Sequence, residues 1–407
     1  MTVLDDAHAM RDEVIRLRRL LHSQPELGLD LPRTQEAVLA ALDGLPLEIS
    51  TGRAATSVTA VLRGHAAVPG RPPVLLRGDM DAVPVQEETG LPFTSTVAGA
   101  AHACGHDMHT AMLVGAARLL AARQAELAND VVLMFQPGEE GWEGARAMLE
   151  EGVLDAAGER VGAAYGLHVF STLPQGFHLR PGVMLASSSS LDVTVSGRGG
   201  HASTPHLARD PVPATAEMIT ALQTLVTRRV DVFDPVVLTV GVVEAGTRRN
   251  VIPPTARFEA TLRTFSDATA VRVGDEVRRL VEGIAAAHGL EVDARFERER
   301  PATVNDPGES AFAGRTISEV FGESRRNLLE HPFTGSEDFS RVLAEVPGAF
   351  VALGALPGGA DPDTASFNHS GRAVFDEAVL PLGAALLAEL ALRRPHAASS
   401  AELPERP

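Results

Sequence analysis

VVLMFQPGEEG, Val131 to Gly141, is the stretch that decides the fold. An apolar run without polar alternation reads as a strand buried on both faces, the habit of parallel sheets. The run breaks at Pro137 and Gly138 and delivers two adjacent acids, Glu139 and Glu140, to the strand's carboxyl end. Ligands of open α/β sheets bind beyond that end. Outward from this stretch the pattern recurs. PVLL (73–76) runs into GDMDAVP, Gly78 to Pro84, and an apolar run around Tyr165 to Leu167 ends at His168. GAFVALG (348–354) is another buried strand. The Ala- and Leu-rich stretch from Thr110 to Leu127 predicts a helix, and an earlier helix should bury Val14, Leu17, Leu20 and Leu21 and stop at Pro25. Strand and helix in alternation imply an α/β fold with a mostly parallel sheet.

The middle of the chain reads differently. Leu191, Val193 and Val195 alternate with polar residues, as in a strand with one solvated face. A helix follows Pro213 and runs to about Arg229. VVLTVGVVEAG and ARFEATLRTF are strands, with Asn250 to Pro254 as the turn between them. A second helix from about Asp267 to His288 and the strand LEVDARFE complete a β-α-β-β-α-β order, which is ferredoxin-like. This predicts an inserted unit at 184–297, a discontinuous main domain at 1–183 and 298–395, and a frayed tail at 396–407.

Composition narrows the function. A formal net charge of −17 disfavours nucleic acid as a partner. No stretch approaches the ~18 apolar residues of a membrane span. The single Cys leaves the fold independent of oxidation, and the first residues lack the apolar core of a signal peptide, so the cytoplasm is expected. The chain contains no Lys, which excludes a phosphate-binding G-x-x-x-x-G-K-[ST] loop, and no G-x-S-x-G nucleophile elbow occurs.

The densest chemistry is HACGHDMHT, His102 to Thr110. A lone Cys is usually a small core residue, but Cys104 and His106, two apart in a turn, can both reach one metal ion. Such an ion would keep the thiol ionised. Paired Glu at a strand end suits a two-metal hydrolase, which needs one carboxylate on the metals and one free to accept a proton from water. Asp79 and Asp81 lie two apart, and either can orient a ligand His through its second N–H. His168 at a strand end and His369 in a late loop, FNHSG, are weaker signals.

GDMDAVP, HACGHDMHT, FQPGEEG, GLHV, GRGGHASTPH, NVIP, TGSEDF and NHS occur in this order. The set resembles the amidohydrolase branch of the aminoacylase/carboxypeptidase metallopeptidase clan, which includes hippurate hydrolases, N-acyl-amino-acid hydrolases and plant indole-acetyl-amino-acid hydrolases. The resemblance covers roughly residues 10 to 390. It implies hydrolysis of N-acyl amino acids by two divalent ions (Zn, Mn, Co or Ni) in a catalytic domain, with the insertion acting as a lid and dimerisation domain of a homodimer. It makes Cys104, His106, Glu140, His168 and His369 metal ligands, with Cys104 or Asp107 as the bridge between the ions. It makes Glu139 the general base, Asp81 the orienting acid, and His201 a residue that crosses the dimer to polarise the scissile carbonyl. Asn250 and Arg263 would bind the substrate carboxylate. The chain departs from the family's usual pattern at Gly138, where Ala is common, and at Gly371, where Pro commonly follows NHS. A dipeptidase with the same metals and a catalytically silent binding homologue are the rival readings.

Overall fold

The computed structural model describes residues 1–67 and 70–394. The expected tail at 396–407 lies outside the described residues. The elements that position the site begin with helix α1 (Arg11–Ser23) and strands β1 (Leu47–Thr51), β2 (Val58–Leu62) and β3 (Val74–Asp79). Helix α2 (His106–Ala121), β4 (Val131–Gln136), β5 (Ala163–Phe170) and β6 (Gly176–Leu179) follow. The chain then builds a second unit from β7 (Ser188–Ser196), β8 (Gly200–His201), α3 (Pro211–Arg229), β9 (Val237–Ala245), β10 (Val251–Ile252), β11 (Thr255–Arg263), α4 (Asp267–Ala287) and β12 (Glu291–Arg300). It returns with β13 (Arg326–Leu328), β14 (Gly348–Gly354) and α5 (Leu380–Arg393).

Among the described residues, the first unit comprises Met1–Gly182, Val304–His331 and 341–394. Its sheet has the order β1-β2-β4-β3-β5-β14-β6-β13. The central strands β4, β3, β5 and β14 run parallel, while β1 and β2 are antiparallel additions at one edge and β6 runs against β14. Every residue of β3, β4, β5 and β14 is buried, which is why these strands read as continuous rather than alternating runs. Helices α2 and α5 pack on each other within this core.

Within the first unit, local structure departs from the sequence expectation in three places. In α1, Val14 and Leu21 are buried but Leu20 is 47% exposed; the buried face is completed by Arg18 and His22 instead. The cause is electrostatic: Arg18 Nε and His22 Nδ1 each lie 2.7 Å from Asp107 Oδ2, so the helix turns its charged partners inward. Helix α2 starts at His106, not Thr110, and stops at Ala121, after which Gln124–Glu126 form a separate 3-10 turn. Gly105, at φ 90°, allows that early start, because an L side chain there would be strained and would meet Val169 Cγ2 at 2.3 Å. His168 lies inside β5 rather than at its end. The strand continues because its pairing with β14 runs on through Val169 and Phe170, and the Val169 N–H donates to His109 Nε2 at 2.8 Å.

The second unit comprises Val183–Thr303 together with Pro332–Ser340. Its antiparallel sheet has the order β9-β11-β7-β12, with α3 and α4 supplying the rest of its core. This is the β-α-β-β-α-β arrangement, and β7 alternates buried and half-buried residues as a one-faced strand should. Strand β12 continues to Arg300, beyond the 297 drawn from the sequence. Pro332–Ser340 joins from far along the chain because Phe333 exchanges backbone hydrogen bonds with Met184 (2.9 Å) and Ala186 (3.0 Å). The stretch read as a plain turn, Asn250 to Pro254, holds β10, which pairs Val251 with His201 and Ile252 with Gly200.

Candidate metal centre

Three carboxyl ends of parallel strands converge in the first unit. β3 ends at Asp79 and leads to Asp81, β4 leads through Pro137 to Glu139 and Glu140, and β5 carries His168. The α2 N-terminus supplies Cys104 just before it and His106 as its first residue. Cys104 Sγ lies 3.3 Å from His168 Nε2 and 3.2 Å from His369 Nε2. His369 Nε2 is 2.9 Å from Glu140 Oε1. Two groups with metal-ligand spacing share the thiol: Cys104, His106 and His168 form one, and Cys104, Glu140 and His369 the other, with the ligand atoms of each within 4.8 Å of one another. Glu139 stands with His106 and Glu140 in a third. Residues placed far apart in sequence are therefore brought to one spot within a single unit.

Asp107 is not among these groups. Its carboxylate is turned toward Arg18 and His22. Burial pushes that carboxyl up, but the Arg18 and His22 charges outweigh burial and hold it well below the usual range. His109 is occupied too. Its Nδ1 donates to Asp79 Oδ1 at 2.5 Å and its Nε2 accepts from Val169, so both nitrogens are used in holding β3, α2 and β5 together. Asp79 also receives Arg77 at 2.6 Å. Sequence reasoning missed His109, Arg77 and Asn368 as supports; the HDMH spacing and the strand position of Arg77 were the available signals.

The residues fit a divalent cation. His106 is wholly buried, yet neither of its ring nitrogens makes a hydrogen bond among the described residues. Its neighbours are carboxylates: Asp81 at 3.4 Å, Asp79 at 3.6 Å and Glu140 at 3.9 Å. A buried imidazole without partners is costly, and surroundings this negative favour a cation. Burial lowers the His106 imidazole, but Asp79 and Cys104 outweigh it and push the group well up. Burial and His109 push His168 well down, keeping the neutral imidazole that coordinates metals. Burial and Glu140 push the Cys104 thiol well up, so ionising it needs a nearby positive charge. Sulfur, nitrogen and oxygen donors together suit zinc and its neighbours in the first transition row.

The loop carrying His369 is held tightly. His369 has φ 71°, a strained conformation of the kind that persists only where its surroundings enforce it. Here Asn368 Nδ2 donates to Cys104 O (3.2 Å) and Val169 O (2.9 Å), and its Oδ1 accepts from the Ser171 N–H (3.1 Å). The His369 N–H donates to Ala103 O at 2.8 Å. Gly371 lies against Gln86, whose carbonyl oxygen a Cβ would meet at 2.2 Å, so this position excludes larger residues for a packing reason.

His201, Asn250 and Arg263 belong to the second unit. His201 and Asn250 are exposed neighbours: the Ala202 N–H donates to Asn250 O at 3.1 Å, and His201 Nδ1 contacts Ser203 Oγ at 2.7 Å. Arg263 closes β11 and donates to Ser336 Oγ at 3.0 Å.

Residues 75–393 match the model of peptidase family M20/M25/M40, and the chain belongs to that family. It is 35% identical to thermostable carboxypeptidase 1 of Saccharolobus solfataricus, over 96% of this chain and 97% of that one. It is 33% identical to the hippurate hydrolase of Campylobacter jejuni, over 97% of this chain and 99% of that one. Among solved structures it superposes on a dinuclear metal-binding peptidase of the M20 family from Bacillus subtilis, with a TM-score of 0.79 at 32% identity, covering 95% of this chain and 98% of that one.

Proposed function

We propose that this protein is a metal-dependent amidohydrolase that cleaves the amide bond of N-acyl amino acids, releasing a carboxylic acid and a free amino acid. The observation that carries the reading is the buried Cys104 thiol shared by two donor groups, the second of which opens to solvent at His369, beside the paired Glu139 and Glu140. The names of the relatives point the same way, hippurate being an N-acyl amino acid. His106, His168, Cys104, Glu140 and His369 would hold two divalent ions, with Cys104 as the shared ligand. Bound there, the ions supply Lewis acidity toward the amide carbonyl and the attacking water.

The chain's own residues do the rest. Glu139 takes a proton from the water and delivers it to the leaving nitrogen. Its place is supported by Asp81, which accepts the backbone N–H of Glu139 and so sets where its side chain begins. Asp81 Oδ1 also faces His106 Nδ1 at 3.4 Å, from where it would orient the ring once the other nitrogen holds a metal. His201 donates to the developing oxyanion, and Asn250 and Arg263 bind the substrate carboxylate. These three act from a second unit that serves as lid. Its sheet ends in edge strand β9, which exposes Val237, Val242 and Val243, a surface suited to pairing with a second copy. Among the described residues no helix is long and apolar enough to cross a membrane.

The deciding experiment is amino acid release from N-acetyl and N-benzoyl amino acids, with and without chelator and with Zn, Mn, Co or Ni added back. Release that stops on chelation and returns with metal supports the reading. The carboxypeptidase relative favours a second reading, cleavage of peptides with the same centre. Faster turnover of unblocked dipeptides than of N-acyl amino acids would select it. No turnover of either class would leave a binding protein.

A further inference from the structure

Trp142 is the only tryptophan in the chain and stands two residues after Glu140. It is 58% exposed, and a single exposed apolar residue means little alone. What distinguishes Trp142 is the loop it belongs to and the floor it rests on. Residues 137–143 link β4 to the short helix Gly144–Glu150 and carry both paired acids. Within this loop Gly138, Gly141 and Glu143 have φ of 69°, 84° and 60°. Glu143 carries a side chain, so its left-handed backbone is strained and persists only where the surroundings enforce it. The loop also closes tightly on itself. The Gly144 N–H donates to Gly138 O at 3.1 Å and the Gly141 N–H to Glu139 O at 2.7 Å. A Cβ on Gly144 would collide with Pro137 O.

Trp142 presses this loop onto a bare stretch of backbone. Its indole covers Gly28, where a Cβ would meet Cε2 at 3.1 Å and Cδ2 at 3.2 Å. Gly28 has φ 80°, a conformation that favours glycine, so the flat ring meets no side chain beneath it. Leu29 and the Trp142 Cβ both crowd Gly138. The floor itself is fixed. Leu27 bridges Ala82, and the Ala82 N–H donates to Glu26 O at 2.8 Å. Leu29 O accepts the Thr56 N–H at 3.0 Å and its hydroxyl at 2.9 Å. On the far flank Glu143 pairs with Arg341.

These contacts form a closed circuit around the paired acids. Asp81 accepts the N–H groups of Glu139 and Glu140, Ala82 follows Asp81 and holds the Gly28 segment, and Gly28 supports Trp142 on the same loop as the acids. Asp81 fixes the backbone at the two acids; Trp142 fixes the half of the loop beyond them. None of the Trp142 contacts uses a ligand atom of the candidate centre, so they order the loop independently of an ion. We propose that Trp142 is a positioning residue: it pins the loop to the Gly28 floor and so aims Glu139 and Glu140 before metal and substrate arrive. Its consequence for rate rests on the N-acyl amino acid reading; its consequence for the loop does not.

The kinetic test uses one N-acyl amino acid at saturating metal. Trp142→Ala should lower kcat about 10–100-fold with KM moved less than about threefold, because a small misplacement of a reacting group is costly. Trp142→Phe keeps a flat ring and should recover most of that loss. Adding Trp142→Ala to Glu139→Gln should change the residual rate less than about threefold, since a residue acting through Glu139 then has nothing left to position. A comparable loss in both backgrounds overturns the positioning role, as does a loss confined to KM. Two further measurements need no substrate. Trp142→Ala should weaken metal binding about tenfold by loosening Glu140, and acrylamide should quench the indole of the unaltered protein equally with chelator and with metal. Unchanged metal affinity in Trp142→Ala overturns the inference, and so does quenching that rises to that of free indole once metal is removed. If the unaltered protein releases no amino acid, the functional reading falls and these two measurements still decide the inference. Circular dichroism checks the fold of each variant; if Trp142→Ala does not fold, Trp142→Leu and the quenching comparison take its place.

Discussion

The Oδ2 of Asp81 accepts the backbone N–H of Glu140 at 2.9 Å. Its other oxygen accepts the Glu139 N–H at 3.0 Å and lies 3.4 Å from His106 Nδ1. One buried carboxylate thus joins the ends of β3 and β4 and the start of α2. Asp81→Asn keeps the shape but offers a single acceptor oxygen and no charge. Metal affinity or activity should fall about 10–100-fold, the usual cost of losing such a support. Metal titration of the variant is the check, and unchanged affinity and activity together would remove Asp81 from the site.

Glu139→Gln should keep the metals and lose turnover by about 10²–10⁴-fold, as expected for a missing general base. Metal content and steady-state rates on one N-acyl amino acid separate the two effects. If metal is lost instead, Glu139 and Glu140 have exchanged roles.

Cys104 belongs to two donor groups and His168 to one of them. Cys104→Ser should therefore weaken both metals, while His168→Ala should weaken mainly one. Metal analysis after dialysis reads this directly. Equal partial loss in the two variants would mean that the thiol serves a single ion.

A homodimer completed by the partner's lid makes a distinct forecast. His201→Ala and Glu139→Gln are each expected to be inactive, and mixing them under subunit exchange should restore activity, because a mixed dimer holds one complete site. Absence of recovery, with exchange demonstrated by a separate label, would place His201 in its own subunit's site or outside catalysis.

The Arg18–Asp107–His22–Glu87 cluster should dominate stability near the site. Arg18 and Asp107 are 1% and 0% exposed, and removing one member of a buried pair costs about 3–5 kcal/mol. Arg18→Met is expected to show this in chemical denaturation. The cluster is also pH-dependent. Burial pushes the Glu87 carboxyl up, but hydrogen bonds from His22, Thr89 and the Ser95 backbone bring it down to about 2. A depressed carboxyl contributes stability above its ordinary range and loses it as pH falls through the depressed value. His22 is opposite in sign. Burial lowers it, yet Asp107 and Glu87 raise it overall, so its contribution is full at low pH and disappears as pH climbs through the raised value. Glu87→Gln should flatten the acid limb of the stability profile; an unchanged limb would show that Glu87 contributes nothing there.

Contiguous pattern determined a large part of this protein. Unbroken apolar runs such as VVLMF and GAFVALG specify strands buried on both faces, and GAFVALG forms a strand with those same bounds. The β-α-β-β-α-β order was likewise legible, because period-two and helical patterns alternate within short windows. Ligand types were legible where they cluster, as in Cys104-Gly105-His106. Tertiary structure decided what local pattern cannot carry. It turned Asp107 away to Arg18, left His106 without hydrogen-bond partners while giving its neighbour His109 two, and attached Pro332–Ser340 to the second unit. It also set the Nε2 of His369 against a thiol 265 residues earlier. Each of these depends on which strand ends meet at one edge of a sheet. The pairing order of the sheet, rather than any window of sequence, fixes that meeting, because burial energies favour many pairings and only the packed whole selects among them.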